Sequence, residues 1–181
     1  KKNDITIKFT CLPALHWSQH GLFTKRNSSL WCSWMIELDE HVIYFAGDSA
    51  YGEHYQDIAS IFPRIDCALL PIAPYTPEQY QLDSHMSSEQ IITAFTDLNA
   101  HMFIPIHWGV FRLGLEPLME PLNAIISLMQ HRNLLHKLHG IAIGDRVNVI
   151  HKEEKQYTLQ ENSHSDTMKK HTTDNQKDSF L

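Results

Sequence analysis

Tyr44-Phe45-Ala46-Gly47-Asp48-Ser49-Ala50-Tyr51-Gly52 places one carboxylate directly after an apolar run. The β-branched and aromatic residues from Val42 to Phe45 read as a buried strand, and Gly47 lets the chain turn, so Asp48 is expected at the strand's tip. A carboxylate there needs a partner, and two histidines are placed to supply one. His16 follows the apolar run Ile5 to Leu12, and His107 follows Met102 to Ile106. All three side chains can therefore project from strand ends into one cleft. Neutral imidazoles and a carboxylate are donors that Zn²⁺ accepts, and a carboxylate has two oxygens with which to bridge a pair of ions.

Outward from that stretch the chain reads as strands and helices in turn. Asp4 to Thr10 alternates, apolar at the odd positions, and predicts a strand with one buried face that Pro13 ends. Residues 16–29 are polar, with Gly21 and Asn27, and read as a long loop. Leu30 to Leu38 predicts the second strand, and Asp39-Glu40 turns it into the strand that delivers Asp48. Tyr55, Ile58, Ala59 and Phe62 fall at helical spacing up to Pro63. Asp66 to Ile72 is a continuous apolar run, the pattern of a strand covered on both faces. Ser87 with Gln90 forms a capping-box pattern, so His85 stands just before a helix whose core face is Ile91, Ile92, Phe95 and Leu98. Glu116-Pro117 opens another helix, with Leu118, Leu122, Ile125, Ile126 and Met129 as its stripe. Ile141 to Ile150 predicts two short strands about a turn at Gly144-Asp145. The polar residues 152–181 are expected to be a disordered tail after one domain over 1–151. Strands separated by helices, with a hairpin in front, make an α/β layer.

Composition narrows the function classes. A chain of 181 residues that is 43% hydrophobic can build one real core. A net charge of −6 and a pI near 6.1 argue against nucleic-acid binding, which needs a basic face. No run approaches the roughly 18 apolar residues of a membrane span. The opening Lys1-Lys2-Asn3-Asp4 shows no signal-peptide pattern and no methionine, so a cytoplasmic location and a start further upstream are expected. Cys11, Cys32 and Cys67 lack Cys-x-x-Cys spacing and lie in apolar runs, which predicts buried free thiols.

Several short motifs in one register carry a resemblance. His16-Trp17-Ser18, Gly21-Leu22-Phe23, Asn27, Leu30-Trp31, Ser33-Trp34 and Phe45-Ala46-Gly47-Asp48 are followed by Asp66, Leu69-Leu70-Pro71-Ile72, Tyr75 and His85. His107-Trp108-Gly109-Val110-Phe111, Glu116-Pro117 and Glu120-Pro121 complete the series. The set, from about Ile5 to Asn148, resembles the metallo-β-lactamase-fold hydrolases, in the branch of N-acyl-phosphatidylethanolamine-hydrolysing phospholipase D. The resemblance implies the C-terminal half of an αββα sandwich: a mixed sheet covered by helices on one face. It implies His16, Asp48 and His107 as metal ligands, with Asp48 bridging two zinc ions, and Asp48 and His85 as catalytic groups, His85 beside the substrate phosphate. Trp31, Trp34, Tyr51 and Tyr75 would shape the substrate pocket. The reaction implied is hydrolysis of a phosphodiester such as an N-acyl phospholipid.

One family feature is missing from these residues. Members carry most metal ligands on a His-x-His-x-Asp-His loop, and no such run occurs here. A centre built from His16, Asp48 and His107 alone is expected to be weak or empty, since tight zinc binding takes three or four protein ligands. The sheet face that meets the other half of the sandwich is expected to be bare, which suits peripheral membrane contact or a homo-oligomer. The alternative to a metal-dependent hydrolase is therefore a truncated, non-catalytic remnant or binding module.

Overall fold

The structure, a computed structural model, describes residues 6–19, 21, 23–77, 83–144 and 146–149. The expected tail over 152–181 lies outside the described residues. Five strands form one mixed sheet in sequence order: β1 (Ile7–Leu12), β2 (Ser33–Leu38), β3 (His41–Phe45), β4 (Cys67–Pro71) and β5 (Met102–Ile106). β2 runs antiparallel to both of its neighbours, while β3, β4 and β5 are parallel. β1, β3, β4 and β5 therefore all point the same way, and their C-terminal ends meet one edge of the sheet.

Among the described residues, three α-helices accompany the strands: α1 (His54–Ile61), α2 (Ser88–Asp97) and α3 (Glu120–His131). Local chemistry sets their ends. Pro63 follows α1 and blocks its continuation. The Ser87 hydroxyl accepts from the Gln90 backbone N–H while the Ser87 N–H donates to the Gln90 side chain, so the expected capping box opens α2. Asp39 takes a positive φ of 50° between β2 and β3, which the short polar side chain of aspartate tolerates.

The helices bury one face of the sheet. Met35, Tyr44, Ala68, Leu70 and Phe103 point into a core completed by Tyr55 and Ile58 of α1, Ile91, Ile92 and Phe95 of α2, and Leu122, Ile125 and Met129 of α3. Phe95 stacks on Phe103 with centroids 5.3 Å apart, and Tyr44 meets Tyr55 edge-on. Among the described residues, no helix covers the opposite face. Phe9, 59% exposed, stands edge-on to Trp34, and with Ile36 and Phe45 they line an open depression of about 240 Å³.

Several expectations need correction. The odd positions of β1 are apolar but not buried, because Ile7, Phe9 and Cys11 lie on the uncovered face. Of the three thiols only Cys67 is buried, and all three are free. β2 starts at Ser33 rather than Leu30: the Trp31 indole donates to the Ala14 carbonyl and the Ser33 hydroxyl to that of Pro13, drawing the chain towards the loop after β1. α3 starts at Glu120 rather than Glu116, whose carboxylate is engaged elsewhere. The described residues of 141–149 form no strand. β5 bridges to Leu138, and a hairpin with Ile141 and Ile143 exposed has too little burial to stand alone. No helix of the described residues is long and apolar enough to cross a membrane.

The two faces respond differently to substitution. Phe103→Ala, in the core, is expected to cost about 3–5 kcal/mol. Phe9→Asp is expected to change stability by under about 0.5 kcal/mol while reducing binding of an apolar fluorescent dye. Urea titrations of both variants with a dye assay check this, and a large loss of stability in Phe9→Asp would show that its face is packed.

Candidate metal centre

Four loops leave the same sheet edge, each carrying one donor. β1 stands two strand spacings from β3, about 9–10 Å, so its loop must cross the end of β2 to reach Asp48. Two hydrogen bonds hold it there: the Leu15 N–H donates to the Ser49 hydroxyl at 3.0 Å, and the Ala50 N–H donates to the Leu15 carbonyl at 2.7 Å. His16 follows directly. Its Nδ1 lies 2.7 Å from the Trp17 carbonyl and donates to it, and its Nε2 is buried and without a hydrogen-bond partner. The ring stacks on the Trp17 indole, which the Arg26 guanidinium covers.

Gly47 takes a positive φ of 63°, open to a residue without Cβ, and turns the chain out of β3 so that Asp48 faces both histidines. Asp48 Oδ1 is 3.2 Å from His107 Nε2, and Oδ2 is 4.0 Å from His16 Nε2. His107 itself has a positive φ of 61°, a conformation that non-glycine residues adopt at a cost of about 1–3 kcal/mol and that concentrates at functional sites.

His85 is the fourth member. It sits two residues before the cap of α2, its Nδ1 3.0 Å from the Ser84 hydroxyl. Its ring meets His16 and His107 edge-on, with centroids 5.3 and 5.7 Å away. Donor atoms of His16, Asp48 and His85 all lie within 4.8 Å of one another.

The electrostatics follow from this geometry. The hydrogen bond from His107 holds the Asp48 carboxyl below its usual range, against the opposing effect of burial. The same bond raises His107. His85 is pushed down to about 4, chiefly by burial and in spite of the nearby Asp48.

Other sequence-predicted residues are less tightly grouped. Trp31 is fixed by its bond to Ala14, two residues from His16. Tyr75 lies on the loop that leads towards His85, its N–H bonded to Glu116. The Tyr51 hydroxyl donates to Asp97 of α2 at 2.7 Å, and its ring stacks on Tyr55. Trp34 lies on the uncovered sheet face, with Phe9 and Phe45.

Sequence reasoning missed three residues that build the centre. Ser49 is buried and serves both Leu15 and Ala50. His54, buried beside it, is lowered by desolvation. The buried Glu116 carboxylate accepts from the backbone N–H groups of Tyr75 and Thr76 and from the Thr76 hydroxyl, tying the loop after β4 to the loop after β5. Gly114 makes room for it, since a Cβ there would collide with the carboxylate. The only sequence signal for Glu116 was its place in a family motif.

A groove of about 500 Å³ adjoins His107, lined by Ile104, Ile106, Trp108, Ile143 and Val147 among others. A second pocket of about 200 Å³ is formed by His107, Trp108, Val110, Phe111 and Leu113.

Residues 2–108 match the family model described as the beta-lactamase superfamily domain. The chain belongs to that superfamily. An uncharacterized protein of Mycobacterium tuberculosis is 37% identical over 128 residues, 69% of this chain and 33% of that protein. The mitochondrial N-acyl-phosphatidylethanolamine-hydrolyzing phospholipase D of Saccharomyces cerevisiae is 34% identical over 139 residues, 72% of this chain and 28% of that protein. The chain thus spans about a third or less of the length of these relatives. Among solved structures, the metallo hydrolase Igni18 of Ignicoccus hospitalis matches 74% of this chain and 48% of its own, with a TM-score of 0.53 and 21% identity, a likeness of fold. The fold is that of one half of a metallo-β-lactamase domain, and the family is one of metal-dependent hydrolases.

These protonation preferences set how folding depends on pH. His85 binds fewer protons folded than unfolded between about 4 and the free-imidazole value near 6.5, so its contribution to stability falls as pH drops through that window. His107, raised, contributes fully below about 6.5 and loses its contribution as pH climbs through its folded value. Denaturation in the presence of chelator is expected to show greatest stability near pH 6.5, with His85→Gln flattening the acid side. An acid limb unchanged in that variant would contradict the burial of His85.

Proposed function

We propose that the chain acts in zinc-dependent hydrolysis of a phosphodiester, with an N-acyl phospholipid as the substrate class. The observation that carries the reading is the convergence of His16, Asp48 and His107 at one sheet edge. The buried, unpartnered Nε2 of His16 fits a metal, because a buried lone pair without a donor is costly unless a cation or proton meets it. When bound, zinc supplies a Lewis acid for a phosphoryl oxygen and lowers the pKa of water.

The residues of the chain do the rest. Asp48 and His107 hold a proton between them that a cation would displace, so metal affinity is expected to rise with pH. His85, neutral near pH 7, offers the phosphate a hydrogen bond rather than a charge. Trp31 and Tyr75 stand on the loops either side of the centre. The apolar groove and pocket beside His107 suit an acyl chain, and 34% identity to the yeast phospholipase D supports the same substrate class.

A second reading, a non-catalytic binding module, draws on the absence of a His-x-His-x-Asp-His run from these residues and on the exposed sheet face. One assay separates the two. With excess Zn²⁺, the hydrolase reading expects cleavage of bis-p-nitrophenyl phosphate or of N-acyl-phosphatidylethanolamine that chelation and Asp48→Ala both abolish. Zinc uptake with neither substrate cleaved selects the module. Uptake that Asp48→Ala leaves unchanged removes the metal centre from both.

A further inference from the structure

We infer that Cys11 and Cys32 are a dithiol pair that a low-molecular-weight disulfide oxidises to an intramolecular disulfide, closing a ring over residues 11–32 that includes His16. The inference is independent of the metal-binding reading above.

Strand register brings the two cysteines together. β1 and β2 pair with Phe9 opposite Ile36, Cys11 opposite Trp34 and Leu12 opposite Ser33. Side chains alternate between faces along a strand, so Cys32, two residues before Trp34, falls on the same uncovered face as Cys11 and diagonally across from it. The preceding diagonal of the same ladder is Phe9 with Trp34, and those rings meet edge-on with centroids 6.5 Å apart. Trp34 thus leans towards Phe9 and leaves the space beside Cys11 open to Cys32. The chain at Cys32 is also drawn towards the end of β1 from both sides, by the Trp31 indole on the Ala14 carbonyl and the Ser33 hydroxyl on the Pro13 carbonyl. The two thiols make a hydrogen bond to one another, an approach from which side-chain rotation can complete an S–S bond of about 2.05 Å.

Exposure sets the order of events. Cys11 is exposed and Cys32 half-buried. Burial, and then the Cys11 thiol beside it, push Cys32 up, so its thiolate is scarcer than that of a free cysteine. Cys11 therefore attacks first: its thiolate bonds to one sulfur of the oxidant and expels the other half as a thiolate. The Cys32 thiolate then attacks the Cys11 sulfur of this mixed disulfide, forms the Cys11–Cys32 bond and expels the second thiolate. The two protons given up by the cysteines go to the two departing thiolates, so two protein thiols are oxidised and one oxidant disulfide is reduced to two thiols. Cys67 takes no part, being buried in β4 and pushed up to about 12 chiefly by that burial. The ring so closed contains the loop that carries His16, and the Cys32 carbonyl stands beside Gly47, the residue that aims Asp48.

The test uses oxidised glutathione on the full 181-residue chain at low protein concentration, with chelator present. Lys25 and Arg26 lie between the two cysteines, so trypsin places them in separate peptides. The unsubstituted chain is expected to lose two hydrogen atoms, remain monomeric, and yield those two peptides joined in a non-reducing map; excess reduced glutathione should reverse the change. Cys32→Ser should stop at the mixed disulfide on Cys11, and Cys67→Ser should behave as the unsubstituted chain. Oxidation should raise the urea midpoint, because the cross-link restricts the unfolded chain. Near-ultraviolet circular dichroism confirms that each variant is folded. Glutathione retained on Cys11 of the unsubstituted chain, disulfide-linked dimers, a link to Cys67, or no reaction overturns the inference. A urea midpoint lowered by oxidation overturns it as well, since it would show that the fold does not set the pair and the bond drags the strands out of place.

Discussion

The hydrogen bonds between Leu15 and the Ser49-Ala50 turn are what make a site out of this sheet. β1 and β3 run in the same direction but are separated by β2, which runs the opposite way. Without a tie, the loop after β1 would leave the sheet far from Asp48. The Ser49 hydroxyl and the Ala50 N–H supply the tie, and burial strengthens it, because a lost partner would leave a polar group unpaired away from water. Glu116 does the corresponding work on the other side, joining the loops after β4 and β5. Asp48, between them, is aimed by Gly47.

That arrangement explains why charge is distributed unevenly among four side chains so close together. Asp48 and His107 pair, so the proton between them favours the ionised carboxylate and the protonated imidazole. His85 receives the same attraction from Asp48 but is more affected by burial and by its two imidazole neighbours, and it stays neutral. Three imidazoles around one carboxylate cannot all be charged. A cation can replace the proton on His107 without adding to the repulsion at His85, which is already neutral.

Much of this could be read from the sequence. The apolar run into Gly47-Asp48, the stops at Pro13 and Pro63, and the Ser87/Gln90 box are local signals, and the structure places strands and helices where they fall. His16, Asp48 and His107 were legible as strand-end residues, and parallel strands bring such ends together. What failed was non-local. Glu116 lies 40 residues from Thr76, and nothing near it in the chain distinguishes a clamp from a helix start. Trp31 and Cys32 have strand composition, but bonds from Trp31 to Ala14 and from Ser33 to Pro13 decide their path. The alternation in β1 showed that one face is apolar and could not show what covers it.

The uncovered face and the site share one cause. Helices on one side bury Met35, Tyr44 and Phe103 and so fix the strands, while Phe9, Trp34 and Phe45 alternate to the other side with no layer of described residues against them. A half-sandwich can therefore set the direction of four strand ends without enclosing them. In this fold the ligand directions come from the sheet edge and its inter-loop hydrogen bonds, and those depend on the helix-covered core. Enclosure, exclusion of water and a second set of donors depend on what lies over the opposite face. The chain's likeness to less than half of a structurally similar metallo hydrolase agrees with that division. The direction of the donors and the completeness of the centre are separate properties, built by separate layers, and the described residues hold the layer responsible for the first.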